Sequence, residues 1–289
     1  MAPSPSRQTE TPDRPVTFPR FGEPAGPAER VFHRVLGLFS PYHRGKAAIQ
    51  DCPLALAQAL RRCVLTCDRR LLFLKNPKAA CSTVLYLIHE RELGRSAAPD
   101  QLHRTNEIMQ GLRHAEALLA ALDDHNCVRF TVVRDPASRA VSGFMMFFSG
   151  AGAEVFTEKR NKKAAKREAG MWALGYDPKG DSGRNFDIFL EYIARCFATG
   201  PELVNVHWKP QTLSIAHGHI RYTHIGRMES LQRDLEIVGE RLGYDLLGAQ
   251  AELPRVNRSR SGGSAINLTK EQRRKIRELY ADDYAAFGY

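Results

Sequence analysis

Two short apolar segments, at residues 71–74 (LLFL) and 128–133 (VRFTVV), constrain the fold more than any other feature of the sequence. Each has the length of one β-strand, is bounded by charged or turn-forming residues, and is followed by a stretch of helical periodicity. Such runs are typical of strands that are buried on both faces of a parallel sheet. Strands that alternate with helices predict an α/β fold of three layers, in which helices flank a central parallel sheet.

The remaining elements are predicted from periodicity and capping signals. A helix is expected from about Ala28, where Val31, Val35 and Leu38 recur at helical spacing. The last helix opens with the capping-box pair Thr269 and Gln272 and runs to about residue 287. Further helices are predicted over residues 53–65, 79–94, 107–122, 186–197 and 228–242, with short strands at 203–206 and 222–225 and loops at 176–185 and 257–264.

Composition restricts the class of protein. The chain has 289 residues and six cysteines, which are scattered and therefore expected to be reduced thiols. Its apolar runs are far shorter than the roughly 20 residues of a membrane span, and its first residues contain no apolar signal segment. We therefore expect a soluble, cytoplasmic protein. Residues 1–27 are rich in proline and lack helical periodicity, which predicts a disordered leader before one domain over residues 28–289.

The positive charge of the chain is local. Lys and Arg number 42 against 32 Asp and Glu, a formal net charge of +10. Residues 158–167 hold six basic residues and one acidic residue, and residues 255–277 hold eight and one. A nucleic-acid-binding protein is one interpretation of these segments, although few aromatic residues lie among them for base stacking. The first segment is equally consistent with a solvated helix face or with attraction of an acidic substrate.

The segment that follows the first apolar run has the chemistry of an oxyanion site. It reads KNPKAACST and places a lysine, small residues and two hydroxyls where a strand turns into a helix. The helix N-terminus and the lysine both favour an anion, and small residues allow the anion to approach the backbone. The residues concerned are Lys78, Ala79, Ala80, Cys81, Ser82 and Thr83. This environment is also one that lowers the pKa of the Cys81 thiol. The segment is similar in logic to a P-loop but lacks the G-x-x-x-x-G-K-[ST] pattern, so an ordinary turn with an exposed lysine is the alternative.

A second anion-binding set follows the other apolar run. Arg134 ends the strand, and Asp135 and Pro136 suit the N-cap and first turn of a helix. Arg139 and Ser142 are three residues apart and are expected on one face of that helix, opposite its apolar stripe. An arginine and a hydroxyl at the carboxyl edge of a parallel sheet can bind a phosphate, whereas pairing of Arg134 with a nearby acid is the simpler interpretation.

Taken together, the two segments resemble the PAPS-dependent sulfotransferases (PAPS is 3′-phosphoadenosine 5′-phosphosulfate), in the family 2 branch that contains the Golgi carbohydrate sulfotransferases. The first motif of that branch is similar to Pro-Lys-x-Ala-Cys-Ser, which is matched by residues 77–82. The second is similar to Arg-x-Pro-x-x-Arg-x-x-Ser-x-Tyr, which is matched from Arg134 to Ser142, with Phe144 in place of the tyrosine. Residues 207–211 (HWKPQ), 225–231 (IGRMESL) and 279–289 also fit, so the resemblance covers about residues 71–289.

This resemblance implies a P-loop-like fold, a PAPS donor, the product PAP (adenosine 3′,5′-bisphosphate), a hydroxyl acceptor on a carbohydrate, and no metal. It implies that the residues 78–83 named above hold the 5′-phosphosulfate, with Lys78, Ser82 and Thr83 as the polar contacts. Arg134 and Ser142 would hold the 3′-phosphate. The loop at residues 257–264, which carries Arg258 and Arg260, is a candidate to close over that phosphate, and a merely flexible basic loop is the alternative. A P-loop-type kinase is the alternative enzyme, and the missing Walker pattern counts against it.

Transfer of a sulfonyl group to an alcohol also needs charge stabilisation and a base. By analogy with phosphoryl transfer, we assign the first role to Lys78. We assign the base to His207, because histidine titrates near neutral pH and this one lies within HWKPQ. A structural histidine that is hydrogen-bonded beneath the site is the alternative interpretation of His207. His89, His103 and Glu229 remain alternatives. His217, His219 and His224 lack a nearby cysteine or an obvious carboxylate partner, so we do not expect them to bind a metal.

Overall fold

A computed structural model of the protein describes residue 20 and residues 22–95, 102, 108–148, 169–248, 253 and 266–289. Its sheet contains five strands within these residues, in the spatial order β3-β1-β2-β4-β5. The strands are β1 (Cys63–Leu65), β2 (Leu71–Leu74), β3 (Met109–Gln110), β4 (Val128–Val133) and β5 (His224–Arg227).

The described helices precede, connect and follow these strands. They are α1 (Pro27–Gly37), α2 (Pro41–Ala48), α3 (Leu54–Leu60), α4 (Cys81–Leu93), α5 (Ala115–Asp123), α6 (Pro136–Phe148), α7 (Ser182–Ala198), α8 (Gln211–Ser214), α9 (Leu231–Leu242), α10 (Lys270–Leu279) and α11 (Ala281–Phe287). None of them combines the length and the apolar character that crossing a bilayer requires.

The centre of the sheet is parallel, as the two apolar runs predict. β2 pairs with β4 and β4 pairs with β5, both in parallel, with Phe73 opposite Phe130 and Phe130 opposite His224. β1 and β3 extend this sheet with antiparallel pairs at the β2 side. The carboxyl ends of β2, β4 and β5 therefore meet at one edge, where ligands bind in open α/β sheets.

Alternating strand residues build a core on each face of the sheet. Phe73 and Phe130 pack with α4 and α9 on one face. Leu72 and Leu74 pack with α3 and α5 on the other face. Because successive strand side chains point to opposite faces, a fully apolar strand needs a layer of helices on both sides. The predicted three-layer α/β class is thus confirmed.

A third core lies beyond the carboxyl edge of the sheet and is largely aromatic. Helices α6, α7 and α10 meet there around Trp208, which is 1% exposed. Phe144 packs within this core, with ring centroids 5.4 Å from Phe186 and 5.5 Å from Phe189. The residue that replaces the tyrosine of the family motif is therefore part of the aromatic packing of this core.

Several predicted elements are wrong in part. The loop predicted over residues 176–185 ends at Asp181, because α7 begins at Ser182. The strand predicted at 222–225 lies at His224–Arg227, where it pairs with β4. The helix predicted over residues 53–65 ends at Leu60, and Cys63–Leu65 forms strand β1, because this apolar tripeptide pairs with the edge of β2. The helix predicted from residue 107 begins only at Ala115, because Gly111 adopts a φ of 69° after the short strand β3. The last helix breaks at Tyr280, whose hydroxyl donates to the Trp208 carbonyl at 2.7 Å. The strand predicted at 203–206 is a 3₁₀ turn and a loop.

Candidate active site

The loop between β2 and α4 has a strained backbone. Lys78 and Ala80 adopt φ angles of 71° and 54°, in the left-handed region that residues other than glycine rarely visit. Such conformations persist only where the surroundings hold them, and they cluster at functional sites. Here the surroundings are polar contacts from neighbouring segments: Arg139 Nε donates to the Pro77 carbonyl at 3.1 Å, and Arg134 Nη1 donates to the Lys78 carbonyl at 3.2 Å.

The loop leads directly into α4, and the first turn of this helix has a geometry that suits an anion. Helix α4 begins without a side-chain N-cap, because the capping position is Ala80. Ser82 and Thr83 lie half-buried in its first turn. The positive end of the helix dipole, the two hydroxyls and Lys78 thus lie within one short segment, as the sequence predicts.

Lys78 has the electrostatics of an anion-binding lysine. Its Nζ lies 3.5 Å from the Met146 Sδ of α6. Burial, with the nearby charge of Arg134, lowers the pKa of Lys78 to about 8. The ammonium group is therefore poorly solvated and repelled by a second cation, and a bound anion would relieve both effects.

Arg134 lies against the same loop, as its contact with the Lys78 carbonyl shows. Burial lowers its pKa, while the carboxylates of Glu229 and Asp135 oppose that effect. Asp135 does not form the predicted simple ion pair with Arg134; it caps α6 by accepting from Ser138 N at 2.7 Å. Ser142 is half-buried two turns into α6. The structure thus brings Lys78 and Arg134 together at the predicted edge of the sheet.

Arg139 does not share an exposed face with Ser142, in contrast to the prediction. Its side chain is 1% exposed and donates to three backbone carbonyls. These belong to Pro77 at 3.1 Å, Lys209 at 2.7 Å and Val206 at 3.0 Å. Arg139 is therefore a scaffold residue that joins the β2–α4 loop to residues 206–209. The spacing of residues in the sequence could not predict the burial of Arg139, because its three carbonyl partners are more than 60 positions away along the chain.

A buried amide network fixes the backbone of Arg134. Gln211 Oε1 accepts from Arg134 N at 3.0 Å, and Gln211 Nε2 donates to Arg134 O at 2.8 Å. Asn76 Nδ2 donates both to Gln211 Oε1 at 2.9 Å and to Val132 O at 3.0 Å. Asp283 in turn accepts from Gln211 N at 2.8 Å. Neither Asn76 nor Asp283 was a predicted site residue, and Gln211 was noticed only as a member of HWKPQ.

The side chain of Asn205 determines which ring nitrogen of His207 carries the proton. Asn205 Oδ1 accepts from His207 N at 3.0 Å and lies 2.7 Å from His207 Nδ1. Because a backbone N–H can only donate, it fixes the oxygen of the Asn205 amide at this position. Nδ1 of a neutral ring therefore carries the proton, and Nε2 is the nitrogen that can accept one.

His207 and Lys78 lie against the same turn of α6. The ring centroid of His207 is 4.7 Å from that of Phe147, and Lys78 contacts the preceding residue, Met146.

Lys209, the third residue of HWKPQ, is 3% exposed. Its Nζ donates to Gln58 Oε1 and, at 2.6 Å, to the Glu202 carbonyl, and burial lowers its pKa to about 7. Lys209 is thus part of the scaffold beneath His207.

The alternative bases are less well placed. His89 is completely buried within α4, where an acceptor hydroxyl has no access. Both carboxylate oxygens of Glu229 accept hydrogen bonds at 2.9 Å, one from Asp135 N and one from the Tyr289 hydroxyl. His103 lies outside the described residues, as do Arg258 and Arg260.

Two smaller expectations concern ionisation and metal binding. Burial raises the pKa of the Cys81 thiol, so the expected lowering beside Lys78 is wrong. His224 Nε2 lies 2.7 Å from the Asp234 carboxylate, so this histidine has a carboxylate partner that the sequence did not indicate.

A cavity of about 480 Å³ adjoins the Arg134 end of the site. Glu229 lines it and also holds Asp135, the residue after Arg134. The other lining residues are Met228, Ser230, Leu231, Gln232, Arg233, Glu236 and Leu253. The cavity is wide open to solvent.

Comparisons with known proteins agree with this geometry. The model of the sulfotransferase family matches residues 61–289, which is most of the chain. The protein therefore belongs to the sulfotransferase family and is a transferase of sulfonyl groups, which confirms the predicted enzyme class and gives no support to the kinase or nucleic-acid alternatives.

Relatives among characterised proteins are carbohydrate sulfotransferases. Carbohydrate sulfotransferase 11 of Mus musculus is 25% identical over 245 residues, covering 80% of this chain and 67% of its own. The Danio rerio protein of that name is 26% identical over 254 residues, with the same coverage. Carbohydrate sulfotransferase 12 of Xenopus laevis is 25% identical over 176 residues, which covers 56% of this chain and 40% of its own. No solved structure gives a significant match.

The amide network predicts a strong effect of Gln211→Met, which keeps the length of the side chain but removes its hydrogen bonds. Three buried partners, Arg134 N, Arg134 O and Asn76 Nδ2, lose a bond to Gln211, which should lower the free energy of unfolding by about 3 kcal/mol. Equilibrium unfolding in urea measures this. Gln232→Met, on the exposed side of α9, is the matched control and should change it by less than about 0.5 kcal/mol. Equal effects of the two substitutions would contradict the role of the network.

Proposed function

We propose that the protein transfers the sulfonyl group of PAPS to a hydroxyl group of a carbohydrate. The observation that carries this proposal is the convergence of Lys78 and Arg134 on one strained loop at the carboxyl edge of the parallel sheet. In a member of the sulfotransferase family, two cationic groups at this place suit a donor with two separate anionic groups.

The residues present fit that donor chemically. The predicted contacts Lys78, Ser82, Thr83, Arg134 and Ser142 are all cations or hydroxyls, which are donors of hydrogen bonds to phosphate and sulfate oxygens. Lys78 and the N-terminus of α4 would hold the 5′-phosphosulfate, and Arg134 with Ser142 would hold the 3′-phosphate. The cavity beside Glu229 would accept the nucleoside. The contributions of Arg258 and Arg260 stay predictions.

The proposed reaction is an in-line displacement at sulfur. His207 Nε2 takes the proton of the acceptor hydroxyl, whose oxygen forms a bond to the sulfur atom. The bond between the sulfur and the bridging oxygen of the 5′-phosphate breaks, and its electron pair stays on that oxygen, so PAP leaves. Lys78 stabilises the negative charge that develops there, as a positioned cation does in phosphoryl transfer.

The acceptor class rests on the relatives, which are carbohydrate sulfotransferases. That the reaction needs no metal stays a prediction. Within the described part of the chain, no group of three His, Cys, Asp or Glu side chains is arranged to hold one. Cytoplasmic location, the leader at residues 1–27 and the single domain at 28–289 stay predictions.

Donor binding is tested by thermal unfolding with PAP. PAP at a hundredfold excess over its Kd should stabilise the fold by about 2.7 kcal/mol, whereas ATP should do so much less. Lys78→Ala and Arg134→Ala should each remove the shift in Tm. Lys179→Ala, which changes an exposed lysine, is the control and should keep it. Equal stabilisation by ATP, or an unchanged shift in both site variants, would overturn the proposed donor.

Affinity for PAP should fall as pH rises through about 8. Below its pKa of about 8 the Lys78 side chain is a cation that attracts the phosphate, and above it the amine is neutral. In Lys78→Arg the side chain stays charged, so that variant should lose this pH dependence. Isothermal titration between pH 7 and 9.5 measures both. A flat Kd for the natural protein across this range would contradict the prediction.

The base is tested by transfer from PAPS to a panel of soluble oligosaccharides, with the sulfated product detected by mass spectrometry. His207→Ala should lower kcat by about 10²- to 10⁴-fold, because the hydroxyl loses its proton acceptor. The Kd for PAP should not change. His219→Ala, an exposed histidine, should transfer normally. Turnover retained in His207→Ala would reassign the base, and no sulfated oligosaccharide with any panel member would contradict the acceptor class.

A further inference from the structure

Helix α1 exposes its apolar side chains and directs polar side chains toward the protein. Val31, Val35 and Leu38 recur at positions i, i+4 and i+7 of one helical face, and they are 60%, 55% and 72% exposed. Phe32 and Phe39, beside them, are 53% and 84% exposed. With Tyr42 of α2, which is also exposed, these six side chains are called the α1–α2 patch.

The contacts beneath α1 are polar. His33 is 5% exposed, and its Nδ1 lies 2.8 Å from His43 Nδ1 of α2. His33 Nε2 lies 3.1 Å from both Glu29 Oε1 and Lys46 Nζ. Gly37, the other buried residue of α1, packs against the backbone of Arg44. The helix is therefore attached through its polar face, although burial of its apolar face is the favourable arrangement in water.

Exposed apolar patches that are contiguous and large mark interaction surfaces in soluble proteins. The charges around the α1–α2 patch indicate the partner. Arg30 and Arg34, one helical turn apart, lie beside it. Their guanidinium nitrogens are 3.5 and 3.6 Å from the carboxylate oxygens of Asp51, which are long distances for ion pairs. On the other side, a cavity of about 220 Å³ adjoins α2. Arg44, Arg69, Arg113 and His114 line this cavity, and Glu116 is the one acidic residue among its described lining residues.

We propose that the α1–α2 patch docks on the surface of an anionic lipid bilayer. Phe39 and Leu38, the most exposed side chains, would enter the boundary between headgroups and acyl chains, and the arginines of the cavity would bind lipid phosphates. A surface that combines large apolar side chains with basic residues is typical of peripheral membrane binding. A second copy of the chain fits less well, because a symmetric contact would bring the basic residues around both copies of the patch into one interface.

Co-sedimentation of the full chain with vesicles tests this proposal. Vesicles of phosphatidylcholine with phosphatidylglycerol should bind the protein, and vesicles of phosphatidylcholine alone should bind it at least tenfold more weakly. The double substitution Leu38→Ser/Phe39→Ser should reduce binding to the anionic vesicles at least tenfold. Arg44→Ser/Arg113→Ser should reduce it by about fivefold for each arginine lost. Trp172→Ser removes a side chain of similar size that is 52% exposed elsewhere, and it should bind as the natural protein does.

Two results would overturn the proposal. One is the absence of binding to anionic vesicles, or binding that Leu38→Ser/Phe39→Ser leaves unchanged. The other is a dimer in light scattering that becomes a monomer in that variant, because the patch would then bind a second copy. All substituted side chains are exposed, and an unchanged Tm verifies folding. The assay needs no sulfonyl transfer, so its outcome is independent of the proposed function.

Discussion

The candidate active site depends on the buried guanidinium of Arg139. Its three carbonyl partners belong to the β2–α4 loop and to residues 206–209, which otherwise come from distant parts of the chain. Desolvation of an arginine is costly, and the hydrogen bonds to three carbonyls offset that cost only when both segments are in place. One side chain thereby couples the position of the β2–α4 loop to that of His207.

The amide network of Gln211 repeats this coupling at the next strand. Gln211 pairs with both main-chain groups of Arg134, much as a neighbouring strand would. Arg134 directly follows the end of β4 and lies three residues beyond Thr131, the last residue of β4 that pairs with β2. Asn76 makes the link from this pair back to the end of β2. The ends of two parallel strands are therefore held together by side chains beyond the last backbone ladder, and Lys78 and Arg134 follow directly from those ends.

Local patterns were sufficient for the centre of the fold and for the position of Lys78 and Arg134 at the carboxyl edge of the sheet. The apolar runs at 71–74 and 128–133 are flanked by charged or turn-forming residues, which mark where each strand begins and ends. The residues that follow the end of a strand must lie at the edge of the sheet. Strand β1 could not be predicted, because Cys63–Leu65 is strand only through its pairing with β2. The burial of Arg139 was likewise hidden, since an arginine in a helix is usually exposed and its carbonyl partners are set by tertiary structure. The periodicity of α1 predicted a helix correctly and could not reveal that its apolar face points outward.

The left-handed conformations of Lys78 and Ala80 have a consequence for recognition. Glycine would reach them without strain, but it would also let the loop adopt many other shapes. With a lysine and an alanine, the conformation is held by Arg139, Arg134 and the start of α4 before any ligand arrives. A donor that binds such a loop loses little free energy to ordering it. In the proposed function, the same rigidity would limit the loop to anions whose shape it matches, so the backbone would contribute to selectivity together with the side chains.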